Sequence, residues 1–216
     1  MVFENKELKS SLALDINHRA LEYFHYVGKP LGTKHKILKQ VQWEKPCSGW
    51  LKLNTDGASM GNPGLPGGGG LLRDENGSWI GGFARKIGVA SSFTAELWAL
   101  RDGLLLCCQR NAQAIAIELD ARAIVDAFNH QTNSNTIVSA IMDNYRQSVN
   151  QIPQVSIRHV YREANRSADW LANFGLKHDS EFEFFIGLLV DLIAILEADS
   201  HGLYCNRHCT KPVFAI

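Results

Sequence analysis

The order of hydrophobic periods along residues 50–176 constrains the fold of this chain more than any other feature. Residues 50–56, 69–73 and 78–85 alternate between apolar and polar side chains, which predicts three strands. Residues 74–77, Asp-Glu-Asn-Gly, predict a hairpin loop between the second strand and the third. The stretch GNPGLPGGGG at residues 61–70 has the composition of a turn. Short connections of this kind predict an antiparallel meander.

The period then changes to that of a helix, with Thr94 as the predicted N-cap and Leu97, Leu100 and Leu104 on one face. Strand and helix patterns alternate from there to residue 176. They predict strands at 115–119 and 155–161 and helices at 121–128, 137–149 and 168–175. The whole order is β-β-β-α-β-α-α-β-α, which predicts an α/β fold. We expect a five-stranded mixed sheet, an antiparallel meander plus parallel strands, with helices on both faces.

Four carboxylates stand at the edges of these predicted elements: Asp56, Glu96, Asp120 and Asp169. Taken singly, each has an ordinary structural explanation, as a turn residue, a helix-dipole partner, an N-cap or a solvated acid. Taken together, they can converge on one edge of the sheet, where close carboxylates repel each other unless a cation compensates. Four hard oxygen ligands favour Mg²⁺ or Mn²⁺ over zinc, and so predict a metal-dependent hydrolase.

The segment from Trp50 to Leu176 resembles a type 1 ribonuclease H domain. More narrowly, it resembles the ribonuclease H-like module of plant proteins related to non-LTR retrotransposon reverse transcriptases. The stretches that carry the resemblance are WLKLNTDGASMGNPG, GGGGLLRDENGSWIGGFAR, FTAELWALRDGL, ELDARAIVDAFN and HVYREANRSADWLA.

The resemblance implies an endonuclease that binds RNA–DNA hybrids and hydrolyses the RNA strand with two Mg²⁺ ions, for which Mn²⁺ can substitute. It assigns metal binding and catalysis to Asp56, Glu96, Asp120 and Asp169. His159, ten residues before Asp169, matches a loop histidine that assists proton transfer or product release in the family. The alternative for His159 is a strand histidine bonded to backbone.

The resemblance also implies contacts with the substrate. Gly57 and Ala58 would offer backbone groups to ribose hydroxyls, and Asn62 would touch them in the minor groove. Asn165 matches a loop residue of the family. Asn62 could instead be a turn residue, and Asn165 a helix N-cap. Family members carry Asn before the helix Glu where this chain has Ser92 and a phenylalanine, so Ser92 could donate the remaining hydrogen bond there.

The flanks have a different character from the central segment. Residues 1–47 lean basic and are interpreted as an arm or linker before a ribonuclease H-like domain at 48–178. Residues 179–216 are interpreted as a tail, with a packed helix followed by disorder, that could also meet a protein partner. The tail contains four possible zinc ligands, but their spacing is irregular and we expect incidental residues there: His201, Cys205, His208 and Cys209.

The bulk composition narrows the function less than the motifs do. Lys and Arg total 22, and Asp and Glu also total 22. The net charge therefore does not indicate a nucleic-acid binder. Residues 121–168 hold no lysine, so the basic protrusion of some family members is missing and we expect weak, salt-sensitive binding. We expect a monomer in the nucleus or cytoplasm, with no membrane span and no secretory signal. The alternative function is a weakly active or inactive domesticated module that binds nucleic acid or protein.

Overall fold

Between residues 51 and 177, the described strands and helices follow the order that the hydrophobic pattern predicts. The computed structural model describes residues 34–61, 64–129, 145 and 149–212. The strands are β1 Lys34–Val41, β2 Leu51–Gly61, β3 Gly64–Arg73, β4 Trp79–Lys86, β5 Ala114–Leu119, β6 Gln154–His159, β7 Phe182–Phe185 and β8 Cys205–Pro212. The helices are α1 Ser92–Gln109, α2 Arg122–Asn129, α3 Arg166–Lys177 and α4 Ile193–Ser200. The helix predicted over 137–149 falls almost wholly outside the described residues.

The main sheet has the strand order β6-β5-β2-β3-β4-β7. Strands β2, β3 and β4 form the expected antiparallel meander, and β2, β5 and β6 run parallel. The mixed sheet is therefore confirmed, with six strands where the pattern predicts five. The additional strand is β7, which pairs with the edge of β4 from Arg85↔Phe182 to Gly82↔Phe185.

The prediction of a turn over residues 61–70 is wrong for most of its length, because β3 begins at Gly64 and pairs with β2. The glycines have a packing role in this strand. A Cβ atom on Gly67 would overlap the backbone of α3 at Ala172 and Leu176, and one on Gly69 would overlap it at Leu171 and Ala172. Glycine therefore lets a helix lie directly on the strand, which a composition-based turn signal does not reveal.

Helices cover both faces of the sheet, as expected. Leu72 of β3 points into a core that contains α1 and α2, whereas its neighbour Leu71 points to the other face. On that second face Leu71 packs with Leu171 of α3 and with Leu196 of α4. The alternation of adjacent side chains thus divides the apolar interior into two cores, one on each side of the sheet.

The two flanks meet each other in the structure. Strand β1 pairs with β8 in a separate two-stranded sheet, from Lys34↔Pro212 to Val41↔Cys205. Residues 205–212, which we expected to be disordered, are ordered because β1 supplies their hydrogen-bonding partner. The helix expected in the tail begins only at Ile193, because residues 182–185 are taken up by β7. Within the described ranges no helix is both long and apolar enough to cross a membrane.

Candidate metal centre

Strand β2 carries Asp56 in its middle, and this residue is 4% exposed. Strands β2 and β5 are parallel, and their register pairs Asn54 with Glu118. Asp120 follows Glu118 by two residues, just as Asp56 follows Asn54, so the two acids lie side by side at one edge of the sheet. The parallel pairing of β2 with β5 stops at Asn54 and Glu118, and the acid two residues further along each chain is thus brought beside the other.

Glu96 reaches the same edge from helix α1. The helix begins at Ser92, because the Ser91 side chain accepts a hydrogen bond from the Thr94 backbone N–H at 3.2 Å. Thr94 is therefore not the N-cap that the sequence suggested. Helix α1 lies so close to β2 that a Cβ atom on Gly57 would overlap the Glu96 backbone nitrogen. The backbone N–H of Gly57 donates to the Glu96 carboxylate.

One carboxylate oxygen each from Asp56, Glu96 and Asp120 lie within 4.8 Å of one another. Burial raises the pKa of Asp56 well above its ordinary range, and the neighbouring charges of Asp120 and Asp169 raise it further. Burial likewise raises the pKa of Glu96, followed by the charges of Asp56 and Asp120. Oxygen ligands crowded in this way favour either a shared proton or a bound cation.

The Glu96 carboxylate gives a direct test of fit for a cation. Its Oε2 atom is buried and has no hydrogen-bond partner among the described residues. Buried carboxylate oxygens are normally hydrogen-bonded or bound to a metal. Because the Glu96 carboxylate lies beside two further carboxylates, and because hard oxygens suit hard cations, the residues fit a divalent metal such as Mg²⁺ or Mn²⁺.

Asp169 lies in the first turn of α3, close enough for its charge to raise the pKa of Asp56. It does not belong to the group of three within 4.8 Å. Its Oδ1 accepts from Arg162 Nε at 3.0 Å and also from Arg162 Nη2. The guanidinium of Arg162 therefore compensates the fourth carboxylate.

Sequence reasoning missed Arg162 as a residue of this centre. The hydrogen bond with Asp169 raises the pKa of Arg162, and the charges of Asp169, Asp56 and Asp120 raise it as well, so Arg162 lies near three of the four carboxylates. The available signal was its position seven residues before Asp169, on the connection that leads from β6 to α3. In the sequence, Arg162 is one of five arginines between Asp120 and Asp169, and nothing distinguishes it from the others.

His159 is the last residue of β6 and pairs with Leu119 of β5. It is therefore next to Asp120, and its ring makes a hydrogen bond with the Asp120 backbone. Burial, followed by the charge of Arg122, lowers the pKa of His159 below its ordinary value. The structure combines the two interpretations of this histidine, since it bonds to backbone and also borders the carboxylate centre.

The predicted substrate contacts have different surroundings. Gly57 and Ala58 are half-buried on β2 directly after Asp56, and Ser92 is the half-buried first residue of α1. Asn165 needs a correction: it is 1% exposed, and its amide donates to the Thr55 carbonyl at 2.8 Å, so it has no surface for substrate. Asn62 lies outside the described residues.

The possible zinc ligands of the tail do not assemble into a site. Among the described residues, the trio at the sheet edge is the one group of three or more metal-ligating side chains close enough to share an ion. The Cys209 thiol instead lies 3.9 Å from the Tyr161 hydroxyl.

Comparison with known proteins adds three kinds of match. A family model described as reverse transcriptase-like matches residues 54–175. A protein of Arabidopsis thaliana with a provisional ribonuclease H name is 36% identical over 170 residues, which cover 79% of this chain. The chain spans 27% of the length of that relative.

Solved structures with the same fold include ribonuclease H1 from the archaeon Halobacterium salinarum, with 27% identity and a TM-score of 0.56. This match covers 59% of the present chain and 98% of the archaeal one. A compost-derived ribonuclease H1, solved in complex with an RNA/DNA hybrid, has 23% identity and a TM-score of 0.54. That match covers 59% of the present chain and 96% of the other, and shows likeness of fold alone.

Proposed function

The chain belongs to the reverse transcriptase-like family and has a ribonuclease H fold, and from this premise we propose that it hydrolyses the RNA strand of RNA–DNA hybrids with divalent metal ions. The observation that carries the proposal is the convergence of Asp56, Glu96 and Asp120, with one buried Glu96 oxygen lacking a partner among the described residues. The ribonuclease H structure solved with a hybrid supports the substrate class, because the two folds agree.

Asp56, Glu96, Asp120 and Asp169 would hold the metal ions, which we propose to be two Mg²⁺. Bound there, the ions would lower the pKa of the attacking water and stabilise the charge on the leaving 3′ oxygen. Asp56 would be the central ligand of the set, because it contacts Asp120 directly and because the charge of Asp169 raises its pKa. To bind a metal ion, Asp169 would have to break its ion pair with Arg162.

His159 is suited to proton transfer beside this centre. Its lowered pKa keeps the imidazole neutral at physiological pH, and a neutral ring carries one nitrogen that can accept a proton. Its position at the end of β6, next to Asp120, supports this role. We propose that His159 takes up a proton during hydrolysis or product release.

Strand discrimination would come from the backbone around the centre. Gly57 and Ala58 follow Asp56 on β2, where their backbone groups can meet a ribose 2′-hydroxyl, the group that distinguishes RNA from DNA. Ser92 at the start of α1 can add a hydroxyl contact. Arg162 has a side chain that is 65% exposed, and we expect it to contact a substrate phosphate once Asp169 binds metal.

A second function is favoured by one observation, the ion pair between Arg162 and Asp169. An arginine that stayed on Asp169 would keep the fourth ligand from the metal ions. The chain would then be a weakly active or inactive module that still binds nucleic acid. The missing lysines between Asp120 and Asp169 fit a weak binder as well.

The experiment is cleavage of a hybrid labelled on each strand in turn, with Mg²⁺ or Mn²⁺, beside the variant Asp56→Asn. We expect cuts in the RNA strand only, with 5′-phosphate products, and none from the variant. Duplex DNA of the same sequence is the substrate control. If correctly folded protein leaves the RNA strand intact in both metals but still binds the hybrid, the binding module is the better assignment.

A further inference from the structure

A buried polar network lies on the same face of the sheet as Asp56, next to the part of that face that α3 covers. The side chains of Lys52 and Asn54 are completely buried, although they are polar and belong to β2. Helix α3 covers the glycines of β3 and packs on Leu71. The remaining face is covered by Trp43, whose indole Nε1 donates to Asn54 Oδ1 at 3.1 Å, and by helix α4.

Asp199 of α4 joins this network to two arginines. Its Oδ2 accepts from Arg73 Nη1 at 2.8 Å, and its Oδ1 accepts from Arg166 Nη2 at 3.0 Å. Asp199 is 4% exposed and Arg73 is 1% exposed. Burial lowers the pKa of Arg73 to about 10, which still leaves it charged at neutral pH. A buried arginine of this kind requires the opposite charge that Asp199 supplies.

Asn165, which precedes the first residue of α3, connects the start of this helix to β2 by hydrogen bonds. Although it occupies the N-cap position of α3, its side chain does not cap the helix. It donates instead to the Thr55 carbonyl at 2.8 Å and accepts from Asn54 Nδ2 at 3.2 Å. Thr55 is the residue before Asp56. The start of α3 is thus fixed to the metal-centre strand by Asn165.

The next residue, Arg166, is the first of α3 and is fixed to α4 by Asp199. Asp169 follows three residues later, paired with Arg162 and near enough to Asp56 for its charge to act there. We infer that Asp199 is a positioning residue of this centre: through Arg166 it sets the place of Asp169 relative to Asp56. The inference rests on the proposed function only in treating Asp169 as a metal ligand. Asp199 lies beyond the segment that the family model matches, residues 54–175.

Replacing Asp199 itself would leave two arginines without a counter-charge and could prevent folding. Arg166→Gln removes the ion pair between α3 and α4 at a smaller cost in stability. The Arg166 side chain is 35% exposed, and Asp199 still pairs with Arg73 in this variant. The matched control is Arg101→Gln. Arg101 is 47% exposed and pairs with the buried Asp102. In the Arg101→Gln variant, Asp102 still pairs with a second arginine, Arg85.

The first readout is Mn²⁺ binding to the full-length chain, measured by calorimetry without substrate. We expect Arg166→Gln to weaken binding about tenfold, the size of effect seen for residues that orient metal ligands, and Arg101→Gln to leave it unchanged. In an Asp169→Asn background the Arg166 change should have no further effect, because the ligand that it positions is gone. Chemical denaturation should show similar losses of stability for the two arginine variants.

The second readout needs no metal. Hydrogen exchange of the backbone amides of residues 166–171 should quicken in Arg166→Gln and keep the wild-type rate in Arg101→Gln. Unchanged exchange, or equal loss of Mn²⁺ affinity in both variants, overturns the inference. Cleavage is scored separately: a wild-type chain that binds Mn²⁺ but cuts no hybrid refutes the proposed function and leaves this comparison intact.

Discussion

At the scale of single residues, the metal centre is a concentration of like charge that the chain tolerates through specific partners. Asp56 and Glu96 favour the protonated form because they are buried and face other carboxylates. Arg162 compensates Asp169, and the Gly57 backbone N–H donates to Glu96. Like charges gathered in this way lower stability, and such clusters of perturbed carboxyl groups are common at functional sites.

We therefore predict that Asp56→Asn stabilises the metal-free protein while abolishing metal-dependent cleavage. Two unit charges about 4 Å apart repel by roughly 1 kcal/mol in water and 4 kcal/mol at a protein surface, and the expected gain in unfolding free energy lies between these values. Urea denaturation with a chelator present measures it. Added Mn²⁺ should stabilise the wild type and not the variant.

The same pKa shifts fix the sign of the pH dependence. The folded protein keeps protons on Asp56 and Glu96 that the unfolded chain releases above the ordinary carboxyl values, 3.8 and 4.5. The free energy of unfolding should therefore fall as pH rises from that range towards the raised native values. The advantage of Asp56→Asn should vanish near and below pH 4, where the unfolded carboxyls are protonated too. An advantage that persists at low pH would contradict the electrostatic cause.

At the scale of elements, close approach between helices and glycine-bearing strands determines where the carboxylates lie. Helix α1 rests on Gly57, which brings Glu96 to Asp56, and helix α3 rests on Gly67 and Gly69, which brings Asp169 near them. The run of glycines is thus a surface on which α3 packs. Its composition resembles a turn because glycine serves both purposes.

We predict that Gly69→Ala destabilises the protein by about 3 kcal/mol, because the new Cβ overlaps the α3 backbone and the helix must move. Gly68→Ala is the control on the next residue of the same strand. Its Cβ would meet Ala99 at 3.4–3.5 Å, an ordinary contact, so we expect a change below about 1 kcal/mol. Equilibrium urea unfolding compares the two, and similar losses would refute the packing explanation.

At the scale of the whole molecule, the flanks complete the sheet that carries the site. Trp43 and α4 close the polar face of β2 and β3, and β1 pairs with β8 beside them. The expected boundaries at 48 and 178 would remove Trp43 and Asp199. The ribonuclease H-like segment and its flanks share one buried network, which no sequence pattern predicts.

We predict that residues 48–178 produced alone are less stable than the full chain by at least about 3 kcal/mol, because Arg73 loses Asp199 and stays unpaired. Chemical denaturation of both proteins gives the difference, and limited proteolysis shows whether α3 is loosened. A chain that retains Trp43 and continues to Pro212 should recover the stability. Equal stability of the short segment would show that the flanks are accessory.

The sequence by itself determined the order of elements, the mixed sheet and the identity of the acidic residues. Local periodicity marks strands and helices, and parallel strands that end in Asp56 and Asp120 must bring those acids to one edge. The motifs from Trp50 to Leu176 also indicated the family, which the reverse transcriptase-like match at residues 54–175 confirms.

Only the tertiary structure decided which polar residues face the centre and which are buried beneath it. Asn165 and Arg162 are three residues apart on one connection, yet the first is buried against β2 and the second pairs with Asp169. Asp199 reaches Arg73 across 126 residues of chain. Sequence patterns report each residue's local neighbours, whereas hydrogen bonds and ion pairs between distant segments exist only once the packed elements bring them into contact.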